Sequence, residues 1–91
     1  MVYMISYDLH NDKDYDSLIS AIKSYPVKCH VLKSTWIIGT RNKLTAVQDK
    51  LLKAVDNDDD LLITEMVDYG GQLSPKHWPA IENIFKGYGG Q

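Results

Sequence analysis

Residues 2–18 read VYMISYDLHNDKDYDSL, an apolar run that ends at an aspartate and gives way to a polar, acid-rich segment. Valine, tyrosine, methionine and isoleucine dominate residues 2–8, and the run is too short for a stable helix, so it predicts a β-strand. Because side chains alternate along a strand, one face carries Tyr3, Ile5 and Tyr7 and the other carries Val2, Met4, Ser6 and Asp8. Both faces begin with apolar residues, which indicates a strand that is covered on both sides.

The rest of the chain alternates between helical and strand patterns. Apolar residues recur at helical spacing over 15–22, and the Tyr25-Pro26 pair ends that helix because the residue before proline is disfavoured in helical geometry. The alternating stretch 27–32 and the apolar-rich stretch 35–40 predict a hairpin. Helical spacing over 44–55 and an apolar run over 61–67 then predict a second helix and a fourth strand. Ser74 and Pro75 form a helix-start signal for a terminal helix.

The order β-α-β-β-α-β predicts an α+β, ferredoxin-like fold, a four-stranded antiparallel sheet with two helices on one face. We expect one domain over residues 1–91, with a core over 1–69, a terminal helix over 74–86 and a flexible tail over 87–91. Either the terminal helix or a second subunit covers the opposite face of the sheet. The thin core of so short a chain favours a homodimer.

The bulk composition limits the possible functions. The net charge is −2 and Arg41 is the one arginine, so strong nonspecific DNA binding by the monomer is disfavoured. The single cysteine, Cys29, excludes an internal disulfide framework and a multi-cysteine zinc site. No run approaches the length of a membrane span, so we expect no membrane partner and a cytoplasmic location.

Two short motifs carry a resemblance to a known family. The stretch YMISYDL ends its strand at Asp8, and KSTWIIGT opens the third strand at Ser34. Over residues 2–67 the chain resembles the small CRISPR-associated protein that partners the integrase in spacer acquisition. It is most similar to the group of short bacterial and phage proteins labelled SinR-like.

The resemblance implies a ferredoxin-like symmetric homodimer in which the two copies of Asp8 approach each other and bind a divalent metal, Mg²⁺ or Mn²⁺. Some members of the family are metal-dependent nucleases, and others are scaffolds that hold duplex DNA. Ser34 matches the position of the hydroxyl residue that opens the third strand of the family.

Asp8 is the leading candidate for a catalytic and metal-binding residue. Mg²⁺ prefers oxygen ligands and often takes only one or two protein carboxylates, and the bound metal activates water. His10 is a candidate acid or base because its reference pKa of about 6.5 allows proton transfer near neutrality. The alternative for Asp8 is an Asx-turn, in which the carboxylate binds backbone two residues on. The alternative for His10 is a solvated position in a loop.

We expect Lys33, Ser34 and Arg41 to contact nucleic acid, and Met4, Trp36 and Trp78 to contribute to an interface. Each of three residues has an alternative role. Ser34 is then a turn residue, Trp36 is part of the core, and Trp78 closes this domain's own core. The acidic run at 56–60 is typical of a solvated turn.

Two function classes remain open. The first is a divalent-metal-dependent endonuclease that hydrolyses RNA or DNA, with Asp8 of both subunits at the dimer centre. The alternative is a non-catalytic dimeric interaction module, such as a phage or defence accessory protein, that binds another protein through a sheet edge or the terminal helix.

Overall fold

The structure is a computed structural model that describes residues 1–9 and 15–90. It has an α+β fold that combines a four-stranded antiparallel sheet with three helices. In chain order the elements are β1 (Val2–Asp8), α1 (Asp16–Lys23), β2 (Val27–Leu32), β3 (Thr35–Gly39), α2 (Leu44–Leu52), β4 (Asp60–Glu65) and α3 (His77–Tyr88).

The sheet has the strand order β2-β3-β1-β4, so β1 is an interior strand and β2 and β4 are the edges. Every neighbouring pair is antiparallel. Ile5 stands opposite Trp36 on β3 and opposite Ile63 on β4, which fixes the register of the three strands. A bulge interrupts the pairing of β2 with β3 between His30 and Leu32.

One face of the sheet packs against α1 and α2 to form the first core. Their apolar positions at helical spacing, Leu18 and Ile22 on α1 and Val47 and Leu51 on α2, are fully buried. They meet the odd-numbered side chains of β1 and the even-numbered side chains of β3, which are Tyr3, Ile5, Tyr7, Trp36 and Ile38. The alternation in the sequence therefore predicts this face correctly.

The opposite face packs against α3 to form the second core. Ile81 and Ile84 of α3 are buried together with Val2 and Ile37 of the sheet. At the start of the helix, the Cys29 thiol lies 3.7 Å from Nδ1 of His77. Burial raises the pKa of that thiol, as expected for an inert cysteine. The terminal helix of the same chain therefore covers this part of the face.

The boundaries of the terminal helix differ from those predicted. The helix begins at His77 because the carbonyls of Ser74 and Pro75 accept bonds from the His77 and Trp78 N–H groups in a separate turn, at 3.0 and 3.3 Å. It also runs past residue 86 to Tyr88, where the ring packs into the second core. Residues 87 and 88 are thus helical rather than part of a tail. No helix in the part of the chain that the structure describes is both long and apolar enough to cross a bilayer.

Gly39 lets α3 approach β3 closely. A Cβ at this position would lie 2.6 Å from Cγ2 of Val27 and 2.7 Å from Cδ2 of Tyr88. We expect Gly39→Ala to lower the free energy of unfolding by about 1–3 kcal/mol, because overpacking displaces the end of α3. Urea unfolding followed by circular dichroism measures the change.

Gly70→Ala is the matched control, because no atom lies within 4 Å of a Cβ built there. It should change the free energy of unfolding by less than about 0.5 kcal/mol, as surface substitutions commonly do. Equal changes in the free energy of unfolding for the two substitutions would show that the close approach of Tyr88 to Gly39 does not affect stability.

Buried tyrosines make the fold sensitive to high pH. Burial is the main cause that raises the pKa of Tyr3, Tyr7 and Tyr25. The unfolded chain therefore loses these protons first, so stability is retained below pH about 10 and falls as the pH rises above it. Tyrosinate absorbance and far-ultraviolet circular dichroism should change together above pH about 10. Ionisation of all six tyrosines near their ordinary pKa, without unfolding, would contradict this expectation.

Candidate functional site

The helix α3 leaves one end of its sheet face open to solvent. Along β1, Val2 is buried, Met4 and Ser6 are half-buried, and Asp8 is exposed. The neighbours opposite Ser6 and Asp8 complete this surface, which we call the open end: Ser6, Asp8, Thr35, Asp60 and Leu62. A shallow depression of about 350 Å³ is lined by most of these residues.

Asp8 stands directly opposite Asp60 at the open end. Directly opposed residues in an antiparallel pair have Cβ atoms about 4.5–5.5 Å apart, and like charges there repel each other. Both residues are exposed, and both contribute to the wall of the depression. Their carboxylates are oxygen ligands of the kind that divalent cations such as Mg²⁺ prefer.

Two hydroxyl groups also belong to the open end. The Ser6 and Thr35 hydroxyls are hydrogen-bonded to each other across β1 and β3 at 3.1 Å. The turn that follows β2 is held at the same end, because the Tyr7 N–H donates to the Ser34 carbonyl at 3.1 Å. Lys33 precedes that carbonyl and is exposed. Asp8, Lys33 and Ser34 therefore lie at one end of the sheet.

Arg41 lies at the other end of the sheet. The Thr40 N–H donates to the Met1 carbonyl at 2.9 Å, so Arg41 follows β3 beyond the start of β1. The six residue steps from Val2 to Asp8 separate the two ends by about 20 Å. The structure does not bring Arg41 together with Asp8, Lys33 and Ser34. His10 lies outside the described residues.

The predicted interface residues occupy three different surroundings. Trp36 is only 6% exposed, and its indole N–H donates to the Tyr7 hydroxyl at 3.2 Å inside the first core. His30 stacks on its ring with centroids 4.3 Å apart. Trp78 stacks on Tyr69 in the second core, and Met4 lies half-buried on the face that α3 covers in part. The interface role of the three residues stays a prediction.

An acidic turn precedes Asp60. Side-chain oxygens of Asp56, Asp58 and Asp59 lie within 4.8 Å of one another, close enough to hold a metal ion. The Asp59 carboxylate accepts a bond from the Asp56 N–H at 2.9 Å, which is typical of a tight polar turn. Because this turn leads directly into β4, negative charge is concentrated at the same end as Asp8.

The sequence interpretation missed Asp60 as a neighbour of Asp8. It treated residues 56–60 as one polar turn, whereas β4 begins at Asp60. A signal for this pairing is the predicted topology, because antiparallel neighbours bring the end of β1 to the start of β4. The acidic residue at each of these strand ends then predicts the pair.

No protein-family model matches this sequence, and no curated protein matches it.

Asp8→Asn should raise the free energy of unfolding by about 0.2–1 kcal/mol in the absence of divalent cations, because it relieves repulsion with Asp60. Urea unfolding with chelator present measures the difference from wild type. Asp49→Asn is the matched control, since it removes the same charge from an exposed position on α2. A stabilisation of equal size in the control would mean that net charge, and not the opposed pair, is responsible.

Proposed function

We propose that this protein is a divalent-metal-dependent endonuclease that hydrolyses phosphodiester bonds in RNA or DNA at the open end of the sheet. The observation that carries the proposal is the direct opposition of Asp8 and Asp60 on an exposed surface. Sequence resemblance to the CRISPR-associated spacer-acquisition family, with Asp8 at its strand-end aspartate, motivates the choice of chemistry. The exposed depression leaves room for an extended polymer.

The donor set at the open end fits Mg²⁺ or Mn²⁺. Carboxylates from Asp8 and Asp60 supply hard oxygen ligands, and the Ser6 and Thr35 hydroxyls can hydrogen-bond waters or substrate oxygens nearby. When bound, such a metal supplies an activated water and stabilises negative charge on a phosphodiester. In this proposal His10, which follows β1 in the sequence, moves a proton as acid or base.

Lys33 and Ser34 are proposed to position the nucleic acid. Lys33 is an exposed cation, and Ser34 is held beside β1 by its carbonyl bond to the Tyr7 N–H. A phosphate bound by Lys33 would lie near the acidic pair, where a cation is needed to offset repulsion. Arg41 is too far away to contribute to this site and is not assigned to it.

The proposal includes a ferredoxin-like fold, a homodimer and a cytoplasmic location. The strand order β2-β3-β1-β4, with α1 and α2 on one face, supports the ferredoxin-like arrangement. The part of the sheet that α3 leaves uncovered supports a second copy as its cover. In that arrangement the two copies of Asp8 would approach each other, as the resemblance implies.

A non-catalytic dimeric interaction module is the second candidate, and apolar surface favours it. Leu62 is 64% exposed on β4 and Val67, just after that strand, is 90% exposed. These residues lie on or beside an edge strand, which can pair with another chain through its free backbone groups. Such a module could be a phage or defence accessory protein with a protein partner.

The deciding experiment compares wild type with Asp8→Ala and Asp60→Ala on short RNA and DNA, with Mg²⁺, with Mn²⁺ and with chelator. We expect metal-dependent cleavage that falls more than about a hundredfold in both variants, since even outer-shell partners of a metal contribute roughly 10–100-fold. Light scattering on the same samples measures the oligomeric state.

Asp49→Ala is the matched control, because it removes an exposed carboxylate from α2 and should cleave as wild type does. Absence of metal-dependent cleavage by the wild type, or unchanged cleavage in folded Asp8→Ala, would sink the nuclease proposal. A dimer without cleavage would favour the interaction module.

A further inference from the structure

A second polar pocket lies at the other end of the sheet from Asp8. It has a volume of about 300 Å³, and its walls come from the end of α1, the segment after β3, α2 and the end of α3. Arg41 and Lys50 both line it. The single arginine of the chain and a lysine from a separate helix therefore border the same space.

The charge of this pocket is positive although the protein has a net charge of −2. Among the residues that the structure describes, none that lines the pocket carries a carboxylate. The wall instead contains hydroxyl groups, including those of Ser24 and Thr40. A guanidinium and an ammonium without a competing carboxylate form a donor set that suits an oxyanion.

Lys50 is positioned by two contacts. Its ammonium donates a hydrogen bond to the Ser24 hydroxyl, and Ser24 in turn donates to the Ala21 carbonyl at 2.6 Å. The ammonium also lies 4.7 Å from the centroid of the Tyr25 ring, a distance typical of a cation–π contact. These contacts hold a flexible side chain over the pocket and reduce the entropy that it loses on binding a ligand.

The backbone beside Arg41 is also fixed. The Asn42 N–H donates to the Thr40 hydroxyl at 3.2 Å, and the Tyr3 hydroxyl donates to the Asn42 carbonyl at 2.8 Å. Thr40 is buried, with 3% exposure, and its oxygen accepts the bond from Asn42. The turn therefore presents Arg41 from a rigid base.

Tyr25 has an unpartnered buried hydroxyl close to the pocket. Its side chain lines the pocket and is 4% exposed, and its hydroxyl is the one buried side-chain oxygen or nitrogen, among the described residues, without a hydrogen-bond partner. Buried polar groups in native proteins are almost always paired, with protein, water or an ion. Because this oxygen has almost no accessible surface, it does not face the open space of the pocket and is not assigned as a ligand.

We infer that this pocket binds the phosphate group of a small phosphate monoester, with Arg41 and Lys50 as its cationic ligands. Arg41 supplies a planar fork for two phosphate oxygens, and Lys50 supplies a point charge from α2. A volume of about 300 Å³ is at the small end of ligand pockets, which suits a phosphate with a compact substituent and not a polymer. The inference does not depend on the proposed nuclease activity.

The test is a titration monitored by two-dimensional amide NMR with chelator present, so that no metal-dependent reaction contributes. The probes are inorganic phosphate, a nucleoside monophosphate and the same nucleoside without phosphate, at constant ionic strength set with chloride. We expect both phosphate-bearing probes to shift the amides of residues 24–25, 40–42 and 50. The nucleoside alone should leave these amides unchanged.

Arg41→Gln and Lys50→Gln should each weaken phosphate binding by about tenfold or more, since hydrogen bonds to charged groups are worth that much in affinity. Lys53→Gln is the matched control, because it removes the same charge from an exposed position just after α2. The comparison requires that each variant gives the spectrum of a folded protein. Substitutions at exposed sites seldom disturb the fold.

The titration also distinguishes the source of the phosphate. Tighter binding of the nucleoside monophosphate than of inorganic phosphate assigns the pocket to a nucleotide, and equal binding assigns it to the phosphate group alone. Binding of short oligonucleotides with and without a terminal phosphate to equal extent would overturn the inference, because it would indicate backbone binding. Absence of phosphate-induced shifts, or equal weakening by Lys53→Gln, would overturn it as well.

Discussion

The fold depends on the burial of both faces of β1. Tyr3 and Ile5 are fully buried against α1 and α2, and Val2 is buried against α3 on the opposite side. Burial of each large apolar side chain contributes about 1.5–3 kcal/mol, so a strand with two apolar faces is stable only between two layers. Since α3 covers only the first part of this strand, the side chains on its face become progressively exposed from Val2 to Asp8. The location of the open end is thus a consequence of where α3 lies.

Much of this architecture could be predicted from the sequence because its elements have strong periodicity. The alternation over 2–8 and the helical spacing of Leu18 and Ile22 each identify an element and its buried face. The placement of the terminal helix could not be predicted, because an apolar helix face has the same pattern whether it packs on its own sheet or on a second subunit. The glycines of the last residues indicate a tail, yet Tyr88 packs near Gly39 and extends the helix.

The candidate site was less predictable, because its parts are distant in the chain. Asp8 could be identified from its place at a strand end, but its neighbour Asp60 arrives through the pairing of β1 with β4, which no local pattern encodes. Arg41 illustrates the opposite error. It is near Lys33 in the sequence, but β3 runs between them and places them at opposite ends of the sheet. Sequence proximity across a strand is therefore poor evidence for a common site.

The net charge of the chain is a weak guide to what it binds, because the charged side chains are unevenly distributed over the surface. Carboxylates are concentrated where β1 ends and β4 begins, and Arg41 and Lys50 border a pocket without a carboxylate among its described residues at the other end. The separation of about 20 Å along β1 exceeds the Debye length of roughly 8 Å at physiological ionic strength. Each end therefore presents its own field to a ligand, largely screened from the other. The net charge of −2 therefore describes neither end of the sheet.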